Sequence, residues 1–447
     1  MTRTDVCIVG AGAAGMTLAH ALRDSGLSVL VVESGPNAQE LNEGEVAGLP
    51  YNGLVSGRRR GLGGTTALWP GQCARMRPED LARWPIELTP WYEQAERLFR
   101  LVPGETERDP WELFGERDPG FDPARIASTT SAFARHRNLG KLEPATTGTT
   151  VTAVADGRVE TPAGEIEADA VVICAGGLES TRLLLASGFR HEALGRRFLD
   201  HAACRPARVV GDARTFQDRY GMRFTRGRRY RPRLLLAREA MEHEGVPGCA
   251  GNIVFDYGPD SAFHAALRLK HGRPALGDLK HAPHFLRAAA RVARGRDPAL
   301  PTDAIRVLTV IEPVARDESR LTLGDERDPL GVPRLRVDWR LGEEERRAAE
   351  LLVTTLDDEL RRTGAGALAI EDWVTSDDWR EHMFDVFHPA GATRMGDDGV
   401  VDADCRVHGT RGVYVCSSSV FPVLGCAPPT LTIVALAFRL ADHLRRA

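Results

Sequence analysis

Asp5-Val-Cys-Ile-Val-Gly-Ala-Gly-Ala-Ala-Gly15 is the stretch that decides how this chain folds. It opens as a short apolar run suited to a buried parallel strand. Glycines follow at once at positions 10, 12 and 15. A helical pattern then covers 16–24, broken by Ser25-Gly26, and Leu27-Ser-Val-Leu-Val-Val forms a second strand ending on Glu33. Gly10 permits a tight turn, Gly12 lets the backbone approach a pyrophosphate, and Gly15 lets helix and strand pack closely. The pyrophosphate then meets the positive helix end, at the amides near Ala13 and Ala14. Glu33 is placed to accept hydrogen bonds from a ribose diol, and its charge disfavours a 2′-phosphate. A glycine turn without a ligand is the bland alternative. The order strand, glycines, helix, strand, acid favours a dinucleotide site.

Composition bounds the rest. At 447 residues the chain exceeds one ordinary hydrophobic core, so two domains are expected. A hydrophobic content of 43% is that of a globular protein, and a net charge of −4 gives no bias toward nucleic acid. Met1-Thr-Arg-Thr runs straight into the first strand, so no secretory leader is expected. No apolar run reaches transmembrane length; 431–440 is too short. Eight cysteines are scattered without CxxC spacing, which fits a reducing, cytoplasmic location. His281 and His284 form the one close histidine pair, but Pro283 between them argues against a helical metal face, and no metal site is expected.

Further along, Arg58-Arg-Arg-Gly-Leu-Gly-Gly-Thr-Thr-Ala-Leu-Trp69 is a glycine-rich loop. The spacing predicts an amphipathic helix over 90–100, a surface loop over 103–125, and strands and turns over 149–174 that return to the parallel sheet. Residues 214–233 carry eight arginines against one aspartate, and 287–296 is a second basic stretch. Both read first as solvated faces; a rim attracting an anion, a membrane surface or a partner is the sharper reading. Strands are predicted at 305–311, 320–323 and 334–338, and a long amphipathic helix over 343–362, with Leu351, Leu352, Leu356 and Leu360 on one face.

The C-terminal region carries Phe387-His-Pro-Ala-Gly-Ala-Thr-Arg-Met-Gly396 and Pro429-Thr-Leu-Thr-Ile-Val-Ala-Leu-Ala437. Pro429 suits the first turn of a helix, where its missing N–H costs nothing. The free amides of Thr430, Leu431 and Thr432 then form a positive end. These motifs, with Gly61-Leu-Gly-Gly-Thr-Thr66, Ala175-Gly-Gly-Leu-Glu-Ser180 and Gly195-Arg-Arg-Phe-Leu-Asp-His201, resemble the glucose–methanol–choline (GMC) oxidoreductase family. The resemblance spans most of the chain and is weakest between about 206 and 300.

The resemblance implies an α/β fold with a Rossmann-like FAD-binding domain (1–205 and 385–447). An α+β substrate domain of antiparallel sheet plus helices (206–384) is inserted into it. It implies oxidation of a CH–OH group on a small or medium hydroxylated metabolite, sugar-like or a natural-product alcohol. His388 would take the hydroxyl proton while hydride leaves for flavin N5, and the helix end at 429–431 would stabilise charge on the reduced flavin. Gly63, Gly64 and Thr65 join the cofactor residues. The electron acceptor, oxygen or another molecule, stays open. Two departures stand out. The family's second polar residue, His or Asn, is here Pro428, which offers no donor; Ser417, Ser418 and Cys426 are candidates to replace it. No histidine lies between Gly63 and Gln72, so FAD is expected to be held non-covalently. Pro428 keeps two alternatives open: a non-alcohol reaction such as desaturation or a lyase step, and flavin binding without turnover.

Overall fold

The computed structural model describes residues 2–225 and 227–446. The N-terminal fingerprint opens a seven-stranded sheet among these residues. The strand Thr2–Val9 runs parallel to Val29–Glu33 on one side and to Gly164–Ile173 on the other. Val413–Val415 also lies parallel to Gly164–Ile173, so the C-terminal segment returns to the sheet begun by the N-terminus. Val6, Cys7, Ile8 and Val9 are buried, as a strand covered on both faces requires. The helix Ala13–Leu22 packs against the C-terminal helix Thr430–Leu444, which joins the two informative ends of the sequence.

A second sheet, nine-stranded among the described residues, runs Ala367–Ile370, Ala202–Val210, Ala304–Ile311, Cys249–Asp256, Arg228–Leu236, Ile126–Phe133, Gln72–Cys73, with antiparallel neighbours; Arg223–Thr225 adds to Arg228–Leu236 and Phe384–Asp385 to Ala202–Val210. Ala304–Ile311 alternates buried and part-buried residues along its length, the period-2 mark of a sheet with one face on a core. The helix Glu343–Arg362 packs across this sheet and buries Leu352, Leu356 and Leu360, while Leu351 is partly buried. Two strands, Gln72–Cys73 and Ile126–Phe133, come from within 1–205, so the sheets do not divide the chain strand for strand at residue 205. Ile126-Ala-Ser-Thr-Thr-Ser-Ala-Phe133 lacks apolar alternation and gives no strand signal in sequence.

Two expectations are corrected. Residues 103–125 are not simply surface loop: Asp109 accepts from the amides of Trp111 and Glu112 and caps a short helix, Pro110–Phe114. That helix buries Trp111 edge-on against Tyr220, with ring centroids 5.7 Å apart. Nor is 214–233 a solvated face throughout. It forms the helix Ala213–Tyr220 and the strand Arg228–Leu236, and Arg223 and Arg233 are each only 3% exposed. Backbone carbonyls and Glu116 satisfy Arg223, and the Cys426 carbonyl accepts from Arg233 at 2.6 Å, so burial leaves these guanidinium groups hydrogen-bonded.

Candidate active site

One cavity of about 550 Å³ runs from the glycine turn to His388. Gly10, Gly12, Ala13, Ala14, Glu33, Gly64, Thr65, His388, Pro429 and Thr430 line it, which brings together ten of the residues singled out in sequence. Gly15, Gly63 and Leu431 are not on its wall. A Cβ on Gly15 would collide with the Gly10 carbonyl, so this glycine serves helix–strand packing. Gly63 takes φ +84° and donates its amide to the Ala11 carbonyl at 2.8 Å, tying the second glycine loop to the first. Leu431 is fully buried in the core.

The chemistry of the wall suits a dinucleotide. Gly12 has open space where a side chain would stand, so its backbone faces the cavity bare. Three helices start here: Ala13–Leu22, Gly176–Ala186 and Thr430–Leu444, none with a side-chain cap. Each uncapped end favours an anionic or electron-rich group by roughly 0.3–1 kcal/mol. Pro429 is the cap residue of the last helix, one position earlier than the first turn expected from sequence. Thr432 does not face the cavity; it is fully buried and bonds the Tyr92 hydroxyl at 2.8 Å.

Glu33 is buried, and its carboxylate already accepts three backbone amides. Oε2 takes Ala11 at 2.9 Å; Oε1 takes Gly35 at 2.9 Å and Gly61 at 2.8 Å. It therefore braces the glycine turn against the loop at 61 as well as lining the cavity. Further along the wall, Glu179 is clamped by Arg58, Arg60 and Arg182. Burial alone would raise its carboxyl, but these three guanidinium groups hold it well below the usual range. Burial also pushes the Arg58 guanidinium down to about 10.

At the other end of the cavity, His388 sits in a web that sequence reasoning did not assemble. Its backbone N–H donates to both oxygens of Asp200, at 2.9 and 3.1 Å, and the Tyr51 hydroxyl donates to Asp200 at 2.7 Å. Its ring Nδ1 lies 2.9 Å from Nδ1 of His201, and Nε2 of His201 lies 2.7 Å from the Gly425 carbonyl. Asp200 and His201 are fully buried. Burial, then the positive charge of Arg233, lowers His388 to about 4. Burial first, then His388 and Arg233, push His201 well below its ordinary value. Burial, with Asp385 nearby, raises Asp200 well above the carboxylate range. Asp200 and His201 end the stretch Gly195-Arg-Arg-Phe-Leu-Asp-His201, a signal that was in view but carried no assigned role.

Phe387, just before His388, takes φ +64° and is 43% exposed on the cavity wall, with Gly57 beneath its ring. A left-handed phenylalanine costs about 1–2 kcal/mol, held here beside the histidine. Pro428, Ser417 and Ser418 all line the cavity; Cys426 does not. The two serine hydroxyls are already engaged: Ser418 donates to the Pro389 carbonyl at 2.6 Å, and Ser417 pairs with Ser419 at 2.7 Å.

The chain is similar to known proteins both locally and along its length. A family model described as GMC oxidoreductase matches residues 315–437, and one described as NAD(P)-binding Rossmann-like domain matches 8–38. The chain is 26% identical to paromamine 6'-oxidase of Streptomyces fradiae, over 98% of this chain and 90% of that protein. It is 38% identical to an oxygen-dependent choline dehydrogenase of Chromohalobacter salexigens, but only over 15% of this chain and 12% of that one. Among solved structures, pyridoxine 4-oxidase from Mesorbium loti aligns with TM-score 0.56 and 19% identity, covering 99% of each chain. Formate oxidase from Aspergillus oryzae aligns with TM-score 0.60 and 16% identity, covering 100% of this chain and 98% of that one.

Proposed function

We propose that this chain, an FAD-dependent oxidoreductase similar to the GMC family, oxidises a CH–OH group of a small or medium hydroxylated metabolite to a carbonyl, with His388 as the base. The observation that carries the reading is the position of His388: an imidazole kept neutral by burial, on the wall of the cavity that the glycine turn and the Pro429 helix start also line. Bound FAD would supply the two-electron acceptor, at N5 of the flavin.

This chain's own groups divide the remaining work. The amides at Gly12–Ala14 and the side chain of Glu33 would hold the dinucleotide. The helix start at Pro429 and Thr430 would favour negative charge nearby. His388 would take the hydroxyl proton as the C–H bond breaks, leaving the alcohol oxidised by two electrons and one proton on the imidazole. Asp200 fixes the His388 backbone through its amide, which keeps the ring at a set depth. FAD would be non-covalent, since the loop from Gly63 to Gln72 contains no histidine; acid should release it intact. The oxidase and dehydrogenase relatives take paromamine, pyridoxine and choline by name, in keeping with a small hydroxylated substrate here.

Pro428 favours a second reading, a different reaction on the same scaffold, because no side-chain donor stands beside His388 at that position. A single experiment separates the two. The holoenzyme is mixed anaerobically with a panel of alcohols, flavin bleaching is followed, and products are weighed by mass spectrometry. Bleaching with a product lighter by two hydrogens supports alcohol oxidation. An FAD-loaded protein that no alcohol bleaches overturns it.

A further inference from the structure

The contact between His201 and His388 has a direction that chemistry alone determines. A backbone carbonyl can only accept, so the His201 Nε2 that lies 2.7 Å from the Gly425 carbonyl must carry a proton. Both imidazoles are held neutral by burial. A neutral ring has one N–H, so Nδ1 of His201 is left as a bare lone pair. Nδ1 of His388, 2.9 Å away, must then be the donor. That places the His388 proton on Nδ1 and leaves Nε2 as the basic atom. The ring planes are turned 82° to each other, and the 5.1 Å between centroids leaves the 2.9 Å Nδ1–Nδ1 contact nearly in line with both rings, where an in-plane N–H meets an in-plane lone pair. Gly425 takes φ +57°, and a Cβ there would press on the Asp80 carboxylate, so the loop that presents this carbonyl is tightly specified.

We infer that His201 is a positioning residue that fixes the tautomer of His388, through a chain Gly425 C=O, His201, His388, so that the Nε2 lone pair is the one available for proton abstraction. The inference rests on the reading of His388 as the base. It assigns His201 a task often given to a carboxylate, with one difference. A carboxylate behind a histidine raises its basicity; a neutral imidazole orients the ring without adding negative charge. The charged or titratable groups around the pair are Arg233, which disfavours the imidazolium, and the buried Asp200, Tyr51 and Asp385. When His388 takes the substrate proton, its Nδ1–H still meets the His201 lone pair, and the new N–H forms on Nε2. His201 itself touches no substrate.

The test reads protonation directly. In FAD-loaded protein labelled with ¹⁵N-histidine, imidazole nitrogen shifts at neutral pH should show His388 protonated on Nδ1 alone and His201 on Nε2 alone, with assignments from His388→Ala and His201→Gln. A proton on Nε2 of His388, or an imidazolium at neutral pH, overturns the inference. Kinetics gives a second arm. His201→Leu, which keeps bulk but cannot accept, should slow anaerobic flavin reduction by roughly 10²-fold or more, within the range a positioned base supplies. His201→Gln, whose amide oxygen can accept from Nδ1, should recover much of that loss with little change in KM. Wild-type reduction in His201→Leu overturns the positioning role, and if that variant does not fold the tautomer measurement decides. Wild-type reduction in His388→Ala would instead remove the parent reading, whatever tautomer is found.

Discussion

The two ends of the cavity are built differently. At the glycine-turn end the groups are backbone amides and bare glycines, mainly from 10–14 and 64–66 and the helix start at Gly176, braced by Glu33. At the histidine end they are side chains from scattered segments: Tyr51, Asp200, His201, Arg233 and His388, with the Gly425 carbonyl behind them. A site made of backbone needs particular residue types at fixed spacing, because only glycine leaves the amides uncovered. A site made of side chains needs only that the fold bring them together.

Changes at the two ends should therefore break different properties. The largest effect is expected from Gly12→Asp. Open space surrounds that Cβ position, so the fold should survive. The carboxylate would stand in the pyrophosphate's place, and FAD should be lost at micromolar concentrations while circular dichroism is unchanged. Retention of FAD at wild-type affinity would show that the pyrophosphate does not sit there. Glu33→Ala comes next. Losing a charged acceptor typically costs roughly 1.5–3 kcal/mol, about one to two decades of FAD affinity. Three backbone amides also lose their acceptor, so the apoprotein should melt at a lower temperature. Weaker FAD binding with an unchanged melting point would mean that bracing is negligible.

At the histidine end, pH should act through a lowered pKa. His388 stays unprotonated until the pH falls toward about 4, so the free base is present across neutral pH. The reductive rate should be nearly flat from about pH 6 to 8 and fall on acidification, approaching tenfold per unit below the pKa. A rate still climbing through pH 7 would place the base outside this buried environment. The smallest effect is expected from Pro428→Asn, a change of severalfold in reductive turnover. A faster rate would show that the missing donor limits the enzyme; an unchanged rate would show that another group serves the substrate oxygen.

This contrast also explains what was legible beforehand. The strand–glycine–helix–strand unit could be read because period, turn and charge all act within about 30 residues. The helix Glu343–Arg362 was legible for the same reason, as a local amphipathic pattern. The strand Ile126–Phe133 was not, since its polar Ser-Thr-Thr-Ser run hides the sheet that accepts it. Arg233 was read as part of a basic face because sequence counts charges but does not show which of them fold inward. His201 lies 187 residues from His388, and no local pattern announces that two imidazoles will meet. Glu33 was half legible: its place at the strand end is a local feature, its three backbone partners are tertiary.

The role of His388 is tested most directly by single-turnover anaerobic flavin reduction in His388→Ala, using whichever alcohol bleaches the wild-type holoenzyme. FAD should remain bound, because the dinucleotide end is untouched, while the reductive rate falls by roughly 10²–10⁴-fold, the contribution of a positioned base. Reduction at the wild-type rate with FAD in place would contradict the assignment of His388 as the base and the alcohol chemistry built on it.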